Sequence, residues 1–291
     1  MRSLFQRYTL FIYVFVTYLF SWAFLYPCYR ILLNAPEGTF PWLALIGLPG
    51  AYGPSLVALF MTGVMEGKAG VRGLLRKLLI WRVGWIWYAL LFIVPVGVES
   101  AAVLLSQVIH GKGTPLDPLQ AVILLFPYVL VALPFGPLGE ELGWRGFMLP
   151  RLLDRHRPWA SGLILGFIWS FWHLASFSYP GAAIPSEFPV ISTTIFLYIG
   201  TITGGSLVFT YFYLKTRGSV LIAVLLHGVF NASSNVVWVL FPGIDRTSPQ
   251  RMTIYIINMV LLLVLGSVLL LRRGEASKAG RAEGKSVRTA V

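Results

Sequence analysis

The stretch "LQAVILLFPYVLVALPFGPLGEELGWRGFMLP", residues 119–150, contains a long apolar run that ends on two adjacent glutamates. Residues 119–139 carry no charge and match the length of about 20 residues that crosses the apolar core of a bilayer. Glu140 and Glu141 follow directly. A carboxylate at membrane depth is costly enough to suggest a function. The stretch therefore predicts a membrane-spanning helix and marks the glutamate pair as a candidate site.

The rest of the chain repeats the pattern of this run. Its 291 residues are 57% hydrophobic and 12% charged, with a mean hydropathy of +0.75, which is too little charge for the surface of a soluble domain. Apolar stretches recur at residues 8–28, 41–65, 85–109, 119–139, 159–179, 190–214, 219–241 and 252–271. We therefore expect an all-α polytopic membrane protein with about eight transmembrane helices, bundled around a cavity.

Basic residues predict the orientation of these helices, because loops rich in Lys and Arg stay in the cytoplasm. With the N-terminus inside, all but four of the 23 basic residues fall on the inner side; the four are Arg30, Lys112, Arg246 and Arg251. This distribution predicts an N-in, C-in topology. The net charge of +12 is then explained by contact with anionic lipid headgroups and requires no nucleic acid.

The domain organisation is simple. We expect one transmembrane domain over residues 1–272 and a disordered basic cytoplasmic tail over residues 273–291, since that tail is polar and lacks aromatic residues. The only cysteine, Cys28, excludes an internal disulfide.

The spacing around the glutamate pair suggests different roles for Glu140 and Glu141. Arg145 lies four residues after Glu141, so an intrahelical ion pair between them leaves Glu140 freer to accept a proton from water. Pro134 and Pro137 each remove a helical N–H and predict a broken helix just before the pair. A salt-bridge cluster at the membrane edge explains the same spacing equally well.

Further polar residues lie deep in other predicted spans. His227 and Asn231 are four residues apart on one helix face, whereas a lone histidine such as His173 is more often packed than catalytic. Glu99 stands alone, and a structural hydrogen bond is the favoured explanation for it. Together the set suits a water-activating site, or a zinc site in which Glu140, His173 and His227 are ligands. No HExxH motif occurs.

These residues, in this order, resemble the CPBP family, which comprises CAAX prenyl proteases of the Ras-converting type and their bacteriocin-processing and Abi relatives. That family carries EExxxR, FxxxH and HxxxN or HxxxD. Residues 140–145 and 227–231 match the first and third patterns, whereas Trp169 replaces phenylalanine four residues before His173. The resemblance covers roughly residues 120–240.

The resemblance implies an intramembrane endopeptidase that cleaves membrane-associated peptides or proteins, CAAX-type prenylated substrates among them. By motif position, Glu140 would activate water with help from His173. His227 and Asn231 would stabilise the oxyanion, and Glu141 with Arg145 would support the site. Both metallo and metal-free mechanisms are described for such proteins. The metal-free one is preferred here, with zinc as the alternative, because asparagine is a poor zinc ligand and a good oxyanion donor.

Two other classes of protein explain the same residues. Buried Glu and His side chains also form proton relays in proton-coupled transporters. A non-catalytic bacteriocin-immunity or scaffold protein would use them only to join helices. For the protease hypothesis we expect an integral protein of the plasma membrane whose catalytic cavity faces the cytoplasm.

Overall fold

The computed structural model describes residues 8–36, 41–111, 117–178, 193–241 and 249–288, and its regular secondary structure in these ranges is entirely helical. We number the helices α1 (Thr9–Leu33), α2 (Gly53–Arg76), α3 (Trp85–His110), α4 (Pro118–Ala132), α5 (Pro137–Glu141), α6 (Leu149–Leu153), α7 (Pro158–Trp172), α8 (Thr193–Lys215), α9 (Val220–Leu240) and α10 (Pro249–Arg288). Shorter helical turns precede α2 at Trp42–Gly47 and Leu48–Ala51, and a π-helix at Leu142–Met148 joins α5 to α6.

The expected spans are present. In the described part of the chain, seven helices are long and apolar enough to cross a membrane. An eighth crossing arises if Trp42–Ala51 and Gly53–Leu79 count as one span, bent by 46°. The prediction of an all-α polytopic membrane protein with about eight spans is confirmed. The N-in, C-in orientation stays a prediction.

Glycines let α8 pack tightly between α7 and α10. A Cβ on Gly166 of α7 would lie 2.6 Å from Thr203 Cα of α8, and one on Gly204 of α8 would lie 2.7 Å from Leu263 N of α10. Side chains at these positions would push the backbones apart. Small residues at membrane helix interfaces commonly allow such a close approach. The three helices thus form one wall of the bundle.

Hydrogen bonds between elements define the end of the bundle that we call the basic end. Here Ser219 Oγ donates to the Ile80 carbonyl (2.6 Å), and Lys77 Nζ donates to the Gly146 carbonyl (2.7 Å). Arg151 pairs with Glu66 at 2.8 Å. The starts of α7 and α9 and the end of α8 therefore lie at this end.

The opposite end, which we call the far end, is joined by a second set of hydrogen bonds. Asp117 N donates to the Leu240 carbonyl (2.9 Å), linking the start of α4 to the end of α9. Ser106 Oγ donates to the Gln250 carbonyl (3.3 Å), linking the end of α3 to the start of α10. The ends of α3 and α9 and the starts of α4 and α10 therefore lie at the far end.

The last helix, α10, continues beyond the predicted span, through residues 273–288, to Arg288. This segment is rich in alanine, lysine, arginine and glutamate, which have high helix propensity, and extending an existing helix is easier than nucleating a new one. The division between a transmembrane domain and a tail stays a prediction.

Candidate active site

A cavity of about 520 Å³ lies within the bundle, and it gathers residues from most of the helices. Its walls include Glu140, His173, His227 and Asn231, which are the four residues expected to be catalytic. They come from α5, from the turn after α7, and from α9. Positions far apart in the sequence therefore border one space.

The chain enters this site through the predicted helix break. Helix α4 ends at Ala132, a 3-10 turn covers Leu133–Phe135, and Pro137 begins α5. The Glu140 N–H donates to the Gly136 carbonyl at 3.0 Å, so Glu140 lies in the first turn of the new helix. The positive end of the helix dipole favours a carboxylate at this position. The break therefore brings Glu140 to the cavity wall.

The chain between Leu142 and Met148 is π-helical, which the sequence did not predict. Gly143 packs so closely on α2 that a Cβ there would lie 2.3 Å from the Pro54 carbonyl oxygen. Such π turns are rare and often occur at functional sites. The apolar periodicity of these residues does not distinguish a π-helix from an α-helix.

Glu141 is the centre of a buried ionic network. Its Oε1 accepts from Arg145 Nη1 at 2.9 Å, which is the ion pair that the spacing predicts, and lies 2.8 Å from His227 Nδ1. Glu141 and Arg145 are fully buried, and His227 is 6% exposed. The Arg145 guanidinium also lies 4.3 Å from the ring centroids of both Trp169 and Phe209. The network joins the π-helix to α7, α8 and α9.

Glu140 has a different partner. Its Oε2 accepts a hydrogen bond from Trp169 Nε1 at 2.6 Å. A Cβ on Gly136 would lie 3.2 Å from Glu140 Oε1 and 4.0 Å from Asn231 Nδ2, so these two atoms border the same small space. One carboxylate oxygen is thus held by an indole, while the other borders the space beside Gly136.

The His173 ring is oriented by the main chain. Its Nδ1 lies 2.9 Å from the Trp169 carbonyl oxygen. A carbonyl oxygen can only accept, so Nδ1 carries the proton, and Nε2 of the neutral ring is the nitrogen free to accept one. The ring packs edge-on against Trp172 and Tyr198, with centroid distances of 4.8 and 5.6 Å.

Trp144, Phe147, Leu149 and Val220, which lie in or next to the elements at the basic end, are each 0% exposed and do not line the cavity. In the other direction the lining continues through Tyr29, Ser176, Asn235 and Met252, which belong to the far-end portions of their elements. The cavity therefore extends from Glu140 towards the far end.

A second carboxylate lines the same cavity. Glu99 of α3 is half-buried there and is hydrogen-bonded to the Asn258 side chain of α10. This agrees with the structural hydrogen bond favoured for Glu99. The sequence does not predict that Glu99 and Glu140 line the same cavity. The residues share no motif, and only the packing of α3 against α10 brings Glu99 to this wall.

The donor set does not fit the zinc alternative. Within the described ranges, no group of three or more His, Cys, Asp or Glu side chains could hold a metal ion.

The fold and site define a polytopic helical membrane protein with a buried glutamate–histidine centre. Residues 122–233, which hold all three motifs, match the family model "Type II CAAX prenyl endopeptidase Rce1-like". The chain is also similar to "CAAX prenyl protease 2" of Methanococcus maripaludis, with 25% identity over 114 residues. That match covers 38% of this chain and 41% of the relative, so it spans about two-fifths of the relative's length. Both similarities support the resemblance to the CPBP family that the motifs predicted.

Proposed function

We propose that this protein is an intramembrane endopeptidase that hydrolyses peptide bonds with water activated by Glu140. The observation that carries the proposal is the convergence of Glu140, His173, His227 and Asn231 on one cavity. The similarity to the Rce1-like family supports the same reaction class. The site thus has a candidate base, a polarising imidazole and oxyanion donors within one space.

The chemistry follows from the two oxygens of Glu140. Oε1, the oxygen on the Gly136 side, takes a proton from water, and the water oxygen attacks the scissile carbonyl carbon. His173 assists as a second acceptor for the water. The Asn231 amide donates to the resulting oxyanion, as does His227 Nε2 when the ring is protonated at both nitrogens beside the Glu141 carboxylate. Glu140 then returns the proton to the leaving amine, which separates as the C–N bond breaks.

The substrate that we propose is a membrane-associated peptide or protein. The cavity combines polar residues with apolar ones such as Leu25, Phe135 and Leu197, which suits a peptide that carries a hydrophobic group. The relative's name, CAAX prenyl protease 2, suggests that a C-terminal prenylated peptide is one candidate. Membrane lipid is the other expected partner.

The proposal is tested by comparing newly formed peptide termini in membranes that hold the wild type or His227→Asn at equal abundance. Asparagine keeps a donor near the position of Nδ1 for Glu141 and removes Nε2. We expect cleavage to fall about 10²–10³-fold, the range for loss of one oxyanion donor. Termini specific to the wild type would identify the substrates. An unchanged set of termini, with substrate cleavage by the wild type established, would remove His227 from the chemistry.

Two expectations about orientation do not fit together. The basic-residue count favours the N-terminus inside, which puts the basic end in the cytoplasm. The cavity extends towards the far end, so under that topology it faces the opposite side of the membrane. We propose the N-in topology in the plasma membrane, with the cavity reached from the non-cytoplasmic side. The expected cytoplasmic opening would instead require the reverse orientation.

Single cysteines at the two ends test this orientation in a Cys28→Ser background. Asn34 lies just after α1 at the far end, and Arg155 lies between α6 and α7 at the basic end; both are exposed. We expect a membrane-impermeant maleimide to label Asn34→Cys on intact cells, and Arg155→Cys only after lysis. The reverse pattern would put the cavity on the cytoplasmic side.

A further inference from the structure

Trp169 occupies the position at which the family pattern has phenylalanine, and it makes a contact that phenylalanine cannot make. Its indole Nε1 donates to Glu140 Oε2 at 2.6 Å, and the side chain is 3% exposed. A phenylalanine ring has no donor. The departure from the family pattern therefore adds a hydrogen bond to the proposed general base.

Trp169 also contacts the rest of the site. Its carbonyl oxygen lies 2.9 Å from His173 Nδ1, and its ring is edge-on to His227 at a centroid distance of 5.2 Å. The Arg145 guanidinium lies against its face at 4.3 Å. One residue thus contacts the base, both histidines and the buried cation.

We propose that Trp169 is a positioning residue for Glu140, whose indole N–H fixes one carboxylate oxygen so that the other is presented to the attacking water. The inference rests on the proposed function of Glu140 as general base. A carboxylate in a buried site without this donor could rotate about its terminal bond or turn to another partner. Fixing Oε2 leaves Oε1 at the space beside Gly136, which the proposed oxyanion donor Asn231 also borders.

The test is Trp169→Phe, which restores the family pattern and removes the donor while keeping an aromatic ring. We expect kcat to fall about tenfold, as the loss of a hydrogen bond to a charged group suggests, with KM changed by less than about twofold. The measurement is steady-state cleavage of a substrate peptide identified from the wild-type termini, together with thermal unfolding in detergent.

Trp144→Phe is the matched control. Trp144 is fully buried, does not line the cavity, and has an indole N–H without a hydrogen-bond partner within the described ranges. The substitution removes the same side-chain volume without removing a hydrogen bond. We therefore expect Trp144→Phe to keep the wild-type kcat even if it unfolds at a lower temperature. The expected result is a fall in kcat confined to Trp169→Phe.

The failures of the two proposals can be told apart. If the wild type cleaves and Glu140→Gln does not, yet Trp169→Phe turns over at the wild-type rate, the positioning role is wrong. Equal losses of kcat in Trp169→Phe and Trp144→Phe, following their loss of stability, would also overturn it. Absence of cleavage by the wild type would instead contradict the proposed function, and the positioning role would fall with it.

Discussion

Replacing Glu140 by glutamine is expected to lower turnover about a thousandfold, within the range of 10²–10⁴ for loss of a general acid–base group. Glutamine has nearly the same shape, and its amide oxygen can still accept from Trp169 Nε1. It cannot take a proton from water. The loss should therefore appear in kcat for peptide cleavage, while the unfolding temperature changes little.

Glu99→Gln is the matched control for this substitution, because Glu99 is a second carboxylate on the wall of the same cavity. It has no part in the proposed chemistry, so we expect its turnover to stay within a few-fold of the wild type. Wild-type turnover by Glu140→Gln would remove Glu140 from the mechanism.

Variants of Glu140 also separate the protease from its alternatives. A proton-coupled transporter would show proton-dependent flux in reconstituted vesicles, and that flux would be lost in Glu140→Gln. A scaffold protein would show no cleavage in any variant, and Glu140→Ala would mainly lower its stability because buried polar groups would lose a partner.

The sequence predicts the helices, the Glu141–Arg145 ion pair and the helix break before Glu140, because each depends on a local pattern. Apolar runs of about 20 residues report on membrane spans, and the spacing of Glu141 and Arg145 is enough to predict their ion pair. The proline pair before Glu140 likewise predicts the break that begins α5.

What the sequence does not predict depends on contacts between distant segments. His227 is 86 residues from its partner Glu141 in the sequence, and Trp169 is 29 residues from Glu140. No local sequence pattern therefore predicts either hydrogen bond. The placement of Glu99 in the cavity depends on how α3 packs against α10. The direction in which the cavity extends also requires the packed bundle, since the depth of single residues along their helices does not specify it.

Arg145→Leu is expected to lower the free energy of unfolding by about 3–5 kcal/mol, the usual result of removing one partner of a buried ion pair. The guanidinium and the Glu141 carboxylate are fully buried, so water cannot replace the lost cation. Among the described residues, Glu141 would keep only the His227 ring as a polar partner. The guanidinium also lies between the rings of Trp169 and Phe209. A leucine has neither the planar shape nor the positive charge to stack on both rings.

Arg151→Leu is the control, measured by thermal or denaturant unfolding in the same detergent. Arg151 pairs with Glu66 at a similar distance of 2.8 Å, but the two side chains are 27% and 48% exposed. Exposed pairs contribute about 0–1 kcal/mol, so this variant should unfold close to the wild type. Equal destabilisation by the two substitutions would show that burial does not determine how much the Glu141–Arg145 pair contributes to stability.

The double variant Arg145→Leu with Glu141→Gln separates lost charge from lost packing. If an unpaired buried carboxylate causes most of the loss, neutralising Glu141 should recover part of the stability that Arg145→Leu removes, giving a non-additive double-mutant cycle. Activity should not recover, because His227 would then lack its anionic partner. A strictly additive cycle would assign the cost to packing against Trp169 and Phe209 instead. Recovery of stability without activity is the result expected if the network serves both to hold the fold and to prepare His227 for the oxyanion.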